Sequence, residues 1–286
     1  MIVALITLYN PDDTVYGNIM TISNQVDRVY LCDNSVKNNS SIYKDIKNAI
    51  YMYNNGENLA LSGAFNRVLK NKEFNWDEDD YLFFFDQDSS IQQGHIQGLI
   101  DCYVELEQDG YDIGCLGPVY FNRSINKLAI PKMKKQISEN EFIVKSIITS
   151  SLLCKYGKIE KIGFWNEQVF LDLADWDLCW RFMRENMLCV ETKKVILNHA
   201  VGTGYKRVGP IGIAETASIR EYYQTRNYLY LLQKNYVPFK YKVSFVRNLT
   251  VRPILHYFFL DNGKDRLRLV KKGFVDYKRG YFGALN

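Results

Sequence analysis

Asp86-Gln87-Asp88 follows directly on the apolar run at 81–85, so two carboxylates stand where a buried strand would emerge into solvent. Acids at the carboxyl edge of an open α/β sheet lie where such folds bind ligands, and hard oxygen donors there suit Mg²⁺ or Mn²⁺ bridging to a diphosphate. The same pair also reads as caps for a following helix, with Ser89 and Ser90 beside it. Asp-x-Asp is short enough to recur by chance, and taken alone it leaves both readings standing. A second acidic group, Asp172, Asp175 and Asp177, precedes Arg181. On a helix, residues 172 and 175 share a face whereas 175 and 177 point apart, and Asp177 is spaced for an ordinary ion pair with Arg181. Acids at this spacing also simply enrich a helix N-terminus, where the dipole favours them. His199 is one of three histidines; a lone histidine is more often structural or surface-exposed than a ligand.

The elements that must position these groups show in the hydropathy pattern. Residues 1–8, 26–32, 49–53 and 81–85 read as strands, with polar segments of helical spacing between them. Strands alternating with helices imply a doubly wound, mostly parallel sheet whose strand ends present their loops on one side. Those loops carry Thr7-Leu8-Tyr9-Asn10-Pro11, Asp33-Asn34-Ser35, Asn54 to Asn58, and Asp86-Gln87-Asp88. Further on, 115–120 reads as a strand and 142–153 as a strand or pair of strands. Residues 132–141 read as an exposed loop, 182–191 as the completion of a helix begun near Asp175, and 195–197 as a short strand leading to His199. From Ile219 onward the spacing is helical. The expected organisation is one catalytic domain at 1–220, in two halves at 1–115 and 116–220, and a basic, aromatic-rich helical region at 221–286.

With 286 residues and 47% hydrophobic content, the chain can bury a large core. Its six cysteines form no C-x-x-C pair and no signal peptide opens it, which makes a reducing cytoplasm the simplest expectation and a zinc site an unexpected one. Residues 1–219 carry 22 Lys/Arg against 28 Asp/Glu, while 220–286 carry 14 against 4. No apolar stretch reaches the roughly 20 residues of a spanning helix. The basic, aromatic tail fits either peripheral contact with the inner face of the plasma membrane or a solvated face of a helix packed on the core. Nucleic acid is disfavoured, because the segment matches no binding module and the rest of the chain is acidic. Self-association into a homo-oligomer stays open.

Taken in order, Thr7-x-Tyr9-Asn10-Pro11, Asp33-Asn34-Ser35, Asn58-x-Ala60-x-x-Gly63-Ala64-x-Asn66-Arg67 and Phe85-Asp86-Gln87-Asp88 resemble the nucleotide-sugar half of the inverting family 2 glycosyltransferases of GT-A fold. Phe170 to Arg181 is similar to that family's acceptor-side motif and Leu197 to Gly202 to its metal-binding histidine region. Arg220-x-Tyr222-Tyr223-x-x-Arg226-Asn227 resembles a motif of its rhamnosyltransferase branch. The similarity covers residues 1 to about 230, and the ordered set is far more specific than any one piece. Two positions depart from many relatives: Ala174 stands where an acid often precedes the catalytic carboxylate, and Ser151 where glycine often stands.

The resemblance implies a division of labour. Asp175 would be the general base, ionised at neutral pH and deprotonating the acceptor hydroxyl. Asp86, Asp88 and His199 would hold Mg²⁺ or Mn²⁺ as a Lewis acid on the departing diphosphate. Thr7, Tyr9 and Asp33 would contact base and ribose, with Asp33 accepting the imide N–H of uracil or thymine. Asn58, Arg67, Asp86 and Gln87 would complete the donor site, and Arg220 and Arg226 would close on the diphosphate unless they belong to a solvated helix face. The implied activity is rhamnosyl transfer from dTDP-L-rhamnose to a lipid-linked saccharide in bacterial cell-wall or capsular polysaccharide synthesis. UDP-sugar-dependent hexosyl or galactofuranosyl transfer on the same fold is the near alternative; a nucleotidyltransferase or a non-catalytic binding protein are the distant ones.

Overall fold

The computed structural model describes residues 1–122, 127–131, 135–199, 205–208 and 211–285. Its first half alternates β1 (Ile2–Leu8), α1 (Asp13–Ser23), β2 (Arg28–Asp33), β3 (Ala49–Tyr53), α2 (Ala60–Leu69), β4 (Tyr81–Asp86) and α3 (His95–Gln108). β1 pairs in parallel with β2 and β4, and β2 with β3. The alternation of side chains explains why both faces must be covered. Val3 and Leu5 of β1, with Leu82 and Phe84 of β4, enter one core, while Ala4, Ile6, Leu8, Phe83 and Phe85 enter the other. Strands apolar on both faces belong to the middle of a sheet with helices on each side. Burying each Phe of β4 contributes about 1.5–3 kcal/mol.

The second half continues with β5 (Ile113–Asn122), β6 (Lys127–Leu128), β7 (Lys135–Gln136), β8 (Glu141–Ile143), β9 (Leu152–Lys155), α4 (Tyr156–Lys161), α5 (Ala174–Arg184), β10 (Leu188–His199), β11 (Tyr205–Val208) and β12 (Ile211–Ala214). The main sheet runs β3-β2-β1-β4-β9-β5-β10-β8-β7, with β6 on β5, and β11 and β12 form a separate pair. β9 is inserted antiparallel between β4 and β5, whereas β10 returns parallel to β5. The long ladders are thus parallel and the short additions antiparallel, in keeping with the expected mostly parallel α/β sheet.

Three local expectations change. The helix expected to reach residue 191 ends at Arg184, because Asn186 turns the chain at φ +62°, a conformation asparagine tolerates, and β10 then begins at Leu188. The short strand expected at 195–197 is the end of that 12-residue strand. The segment expected as an exposed loop at 132–141 contains β7, which pairs with β8; residues 132–134 lie outside the described residues.

The C-terminal region is helical as expected: α6 (Ile219–Leu232), α7 (Phe239–Phe259) and α8 (Gly263–Lys278). The three are joined by a buried ionic cluster. Glu221 of α6 receives His256 Nδ1 at 2.5 Å and Arg252 Nη2 at 3.4 Å from α7, and Arg266 Nη1 at 3.4 Å from α8. Gly273 of α8 lets α6 approach closely, since a Cβ there would come within 2.6 Å of the Tyr222 carbonyl oxygen. Among the described residues no helix is long and apolar enough to cross a membrane.

Candidate active site

Strand register brings the sequence motifs to one edge. Thr7 lies opposite Cys32 on one side and Asp86 on the other, and Asp33 opposite Leu8 and Tyr53. Side chains then tie the emerging loops together. Gln87 bonds both backbone groups of Tyr9, accepting its N–H at 2.7 Å and donating to its carbonyl at 3.2 Å. Ser35 Oγ accepts the Asn10 N–H at 2.7 Å. Asn34 accepts from Asn54 Nδ2 at 2.7 Å and from the Leu59 N–H at 3.1 Å, and donates to the Ala60 carbonyl at 2.9 Å. Asn58 Oδ1 accepts the Ala60 N–H at 2.9 Å just before α2.

These loops border a cleft of about 990 Å³ into which Thr7, Tyr9, Asn58, Asp86 and Gln87 all project. Arg67 lies in an adjoining hollow of about 590 Å³ that shares Asn58 and Phe170 with the cleft. Its guanidinium donates to the Tyr53 carbonyl at 3.0 Å and to Asn54 Oδ1 at 2.6 Å. Asp88 is exposed at the same turn. Asp33 does not reach the cleft. Its carboxylate is fully buried and accepts from the Ser35 N–H, Asn39 Nδ2 and the Tyr51 hydroxyl, so in this arrangement it braces the loop and does not offer an oxygen to a base.

Asp86 accepts a hydrogen bond from Ser150 Oγ at 2.9 Å. The next residue, Ser151, sits at φ +69°, a left-handed conformation that favours glycine. Its hydroxyl meets His95 Nε2 at 2.6 Å and its N–H bonds the Phe84 carbonyl at 2.8 Å. Burial lowers the His95 pKa to about 4, so this anchor is a neutral imidazole.

Asp175 enters from the other half, at the start of α5, where its carboxylate accepts the Trp176 N–H at 2.9 Å. Protein atoms surround it closely although it keeps partial solvent access, and its pKa is pushed up to about 8. Burial is the main cause, followed by the neighbouring Cys179 sulfur and the negative charges of Asp86 and Asp172, against the Trp176 N–H. The expected ionised form is therefore not favoured at pH 7 in this structure.

The loop that delivers Asp175 is strained. Leu171 and Leu173 both have left-handed φ, at +66° and +71°, and each such non-glycine residue costs about 1–3 kcal/mol unless its surroundings enforce it. The enforcement comes from α6. Asn227 Nδ2 donates to the Phe170 and Asp172 carbonyls, each at 2.8 Å, and Arg220 forms a two-pronged ion pair with Asp172. Arg226 is completely buried, with its guanidinium carbon 5.1–5.7 Å from the ring centres of Tyr222, Tyr223, Phe170 and Phe282. It donates to the Gly283 carbonyl at 2.7 Å, fastening the C-terminal segment, whose Tyr281, Ala284 and Leu285 line the cleft. Arg220 and Arg226, expected over a diphosphate, here hold the cleft wall. Asp177 and Arg181 form the expected i,i+4 ion pair, at 2.7 Å and buried; Asp177 also accepts the Tyr236 hydroxyl at 2.7 Å.

His199 ends β10 opposite Asn122, but its side chain lies outside the described residues. Asp86 lines the cleft and Asp88 is exposed two residues further on; carboxylate oxygens are the donor type that Mg²⁺ and Mn²⁺ take. The group of metal-ligand type found among the described residues is different: Cys115, Cys179 and Cys189, with sulfurs all within 4.8 Å of one another in the buried core. Their separation in sequence hid this convergence. Sequence reasoning also missed Phe170, Tyr223 and the C-terminal segment as cleft walls, since only the tertiary fold brings them there.

This architecture is the GT-A glycosyltransferase fold. GalNAc-T7, solved with UDP, GalNAc and Mn²⁺, superposes with a TM-score of 0.55 at 8% identity, over 86% of this chain and 54% of that one. Residues 1–349 of TarS from S. aureus give 0.53 at 11% identity, over 96% and 80%. No family model matches the chain. In sequence, it is similar to the dTDP-rhamnosyl transferase RfbF of Shigella flexneri, with 27% identity over 202 residues and 67% of this chain. The match spans 65% of that relative's length. The resemblance to rhamnosyltransferases read from the motifs is thus matched by a similarity to one rhamnosyl transferase over two thirds of this chain.

Proposed function

We propose that the protein is a metal-dependent inverting glycosyltransferase that moves L-rhamnose from dTDP-L-rhamnose to a lipid-linked saccharide in bacterial cell-wall or capsular polysaccharide synthesis. The observation that carries the transfer reading is the meeting of Thr7, Tyr9, Asn58, Asp86 and Gln87 in one cleft; the charge of Asp86 adds to the raised pKa of Asp175. The choice of donor follows the S. flexneri relative, whose name specifies dTDP-rhamnosyl transfer.

In this mechanism Thr7, Tyr9 and Asn58 bind the nucleotide, and the Gln87 clamp holds Tyr9 at the cleft mouth. Asp86 and Asp88, joined by His199, would hold Mg²⁺ or Mn²⁺, which when bound supplies Lewis-acid charge to the leaving diphosphate. Ser150 fixes the orientation of Asp86. Asp175 accepts the proton of the acceptor hydroxyl as that oxygen attacks the anomeric carbon and the bond to the diphosphate breaks. A single displacement inverts the centre. A pKa near 8 is close to the working pH, which suits a general base. We place the acceptor in a groove of about 620 Å³ lined by Trp176, Tyr120, Tyr241 and Glu191, beside the first turn of α5 that carries Asp175. Aromatic rings with a few polar groups are the lining expected of a saccharide site.

A panel of nucleotide sugars tested for donor hydrolysis and transfer, with and without EDTA, checks the reading. Turnover of dTDP-L-rhamnose that EDTA abolishes is expected. Turnover confined to UDP-sugars would replace the rhamnosyl assignment, and activity indifferent to chelation would overturn the metal site.

A further inference from the structure

Helix α7 turns two unlike faces to its surroundings. Tyr241, Phe245 and Leu249 pack inward, and His256 joins the buried cluster on Glu221. At about 100° per residue, Phe239, Val243, Val246, Thr250 and Ile254 form a stripe on the opposite side. The large apolar residues of that stripe are unusually bare: Phe239 is 80% exposed, Val243 54%, Val246 51% and Ile254 59%, and Phe258 beside it is 70% exposed. Isolated exposed apolar residues are ordinary, but a contiguous row along one helix marks an interaction surface.

Charge identifies what covers it. Residues 220–286 carry 14 Lys/Arg against 4 Asp/Glu. Lys240 and Arg247 flank the stripe on α7, and the outward positions of α8 include the exposed Lys264, Arg268, Lys271 and Lys278. Two copies of so basic a region repel each other, whereas an anionic leaflet attracts it. We infer that α7 lies in the interface of an anionic lipid bilayer, with Phe239, Val246, Ile254 and Phe258 entering the acyl boundary and the cations of α7 and α8 meeting lipid phosphates. A basic helix with an apolar stripe binds a bilayer in this way without spanning it. Each lysine or arginine near such a surface adds about 1 kcal/mol, a roughly fivefold gain in partition. The Glu221 cluster keeps α7 locked to α6 and α8, so the stripe is presented by a rigid platform and need not fold on contact. This surface does not depend on the transfer chemistry proposed above.

The test is sedimentation of the full chain with large vesicles of phosphatidylcholine alone or mixed with phosphatidylglycerol. Binding to the mixed vesicles is expected, weaker with rising salt and much weaker on phosphatidylcholine alone. The variant Phe239→Asp/Ile254→Asp/Phe258→Asp should lower partition by at least about tenfold for each lost anchor. Its melting temperature should hold, because these side chains are exposed. Lys264→Glu/Lys271→Glu should weaken binding to the anionic vesicles alone. Failure of the unmodified protein to bind mixed vesicles, or binding indifferent to the aspartate variant, overturns the inference. So does light scattering that shows a dimer which the aspartate variant converts to a monomer, since that assigns the stripe to a second copy.

Discussion

The proposed donor edge and the proposed acceptor loop solve the same problem by different means. At the donor edge, four loops leave adjacent parallel strands and are tied to one another by short polar contacts from Gln87, Ser35 and Asn34. On the acceptor side, residues 170–173 hold two leucines in left-handed conformations and are braced by Asn227 and Arg220 from α6. One region is self-supporting, and the other depends on a helix some 50 residues further along the chain. The C-terminal helices are therefore part of the site.

Substitutions separate the two. Asp175→Asn should have the largest effect, lowering transfer by about 10²–10⁴-fold, the usual contribution of a general base, with donor affinity by calorimetry little changed. Loss of donor binding along with transfer would place Asp175 on the wrong side of the comparison. Asn227→Ala removes a buried donor from two carbonyls of the strained loop, of which Phe170's keeps the Asp172 N–H. It should cost about 1–3 kcal/mol in a denaturant melt and lower kcat by up to about a hundredfold through misplacement of Asp175, again with donor affinity kept. Equal losses in donor affinity and kcat would dissolve the distinction between the regions.

The pH dependence sharpens it further. A general base works only when deprotonated, and the Asp175 pKa is raised to about 8, so with Asp175 in the proposed role kcat should climb with pH and level off above about 8. Because the charge of Asp86 contributes to that rise, saturating divalent cation should move the limb to lower pH, as measured by rate profiles at two metal concentrations. The smallest effect belongs to Gln87→Ala. It removes the clamp on Tyr9 at a cost of about 0.5–1.5 kcal/mol, and a few-fold increase in donor KM with kcat unchanged is expected.

Much of the donor edge could be read from sequence because its positions follow from local rules. Apolar runs of strand length end in turn residues, and parallel register then carries Thr7, Tyr9, Asn58, Asp86 and Gln87 to one side. Asp33 shows the limit of that reasoning: its position at the edge was foreseen, but its burial depends on Tyr51 and Asn39 meeting it from neighbouring segments. Arg226 shows the same limit at longer range. A cation in a tyrosine-rich segment suggests a phosphate clamp, and only the fold reveals the cage of rings and the carbonyl of Gly283 that occupy it. The helix overrun from residue 184 to 191 has a simpler cause, since a short apolar run does not distinguish helix from strand until the turn at Asn186 is known.

The most direct measurement is an anomalous-scattering map of crystals soaked with Mn²⁺ and a thymidine or uridine diphosphate. The account predicts a metal peak bonded to Asp88, with Asp86 in direct or water-bridged contact, the diphosphate bridging it and the base beside Thr7 and Tyr9. A nucleotide bound elsewhere, or manganese absent from the Asp86–Asp88 turn, would contradict it.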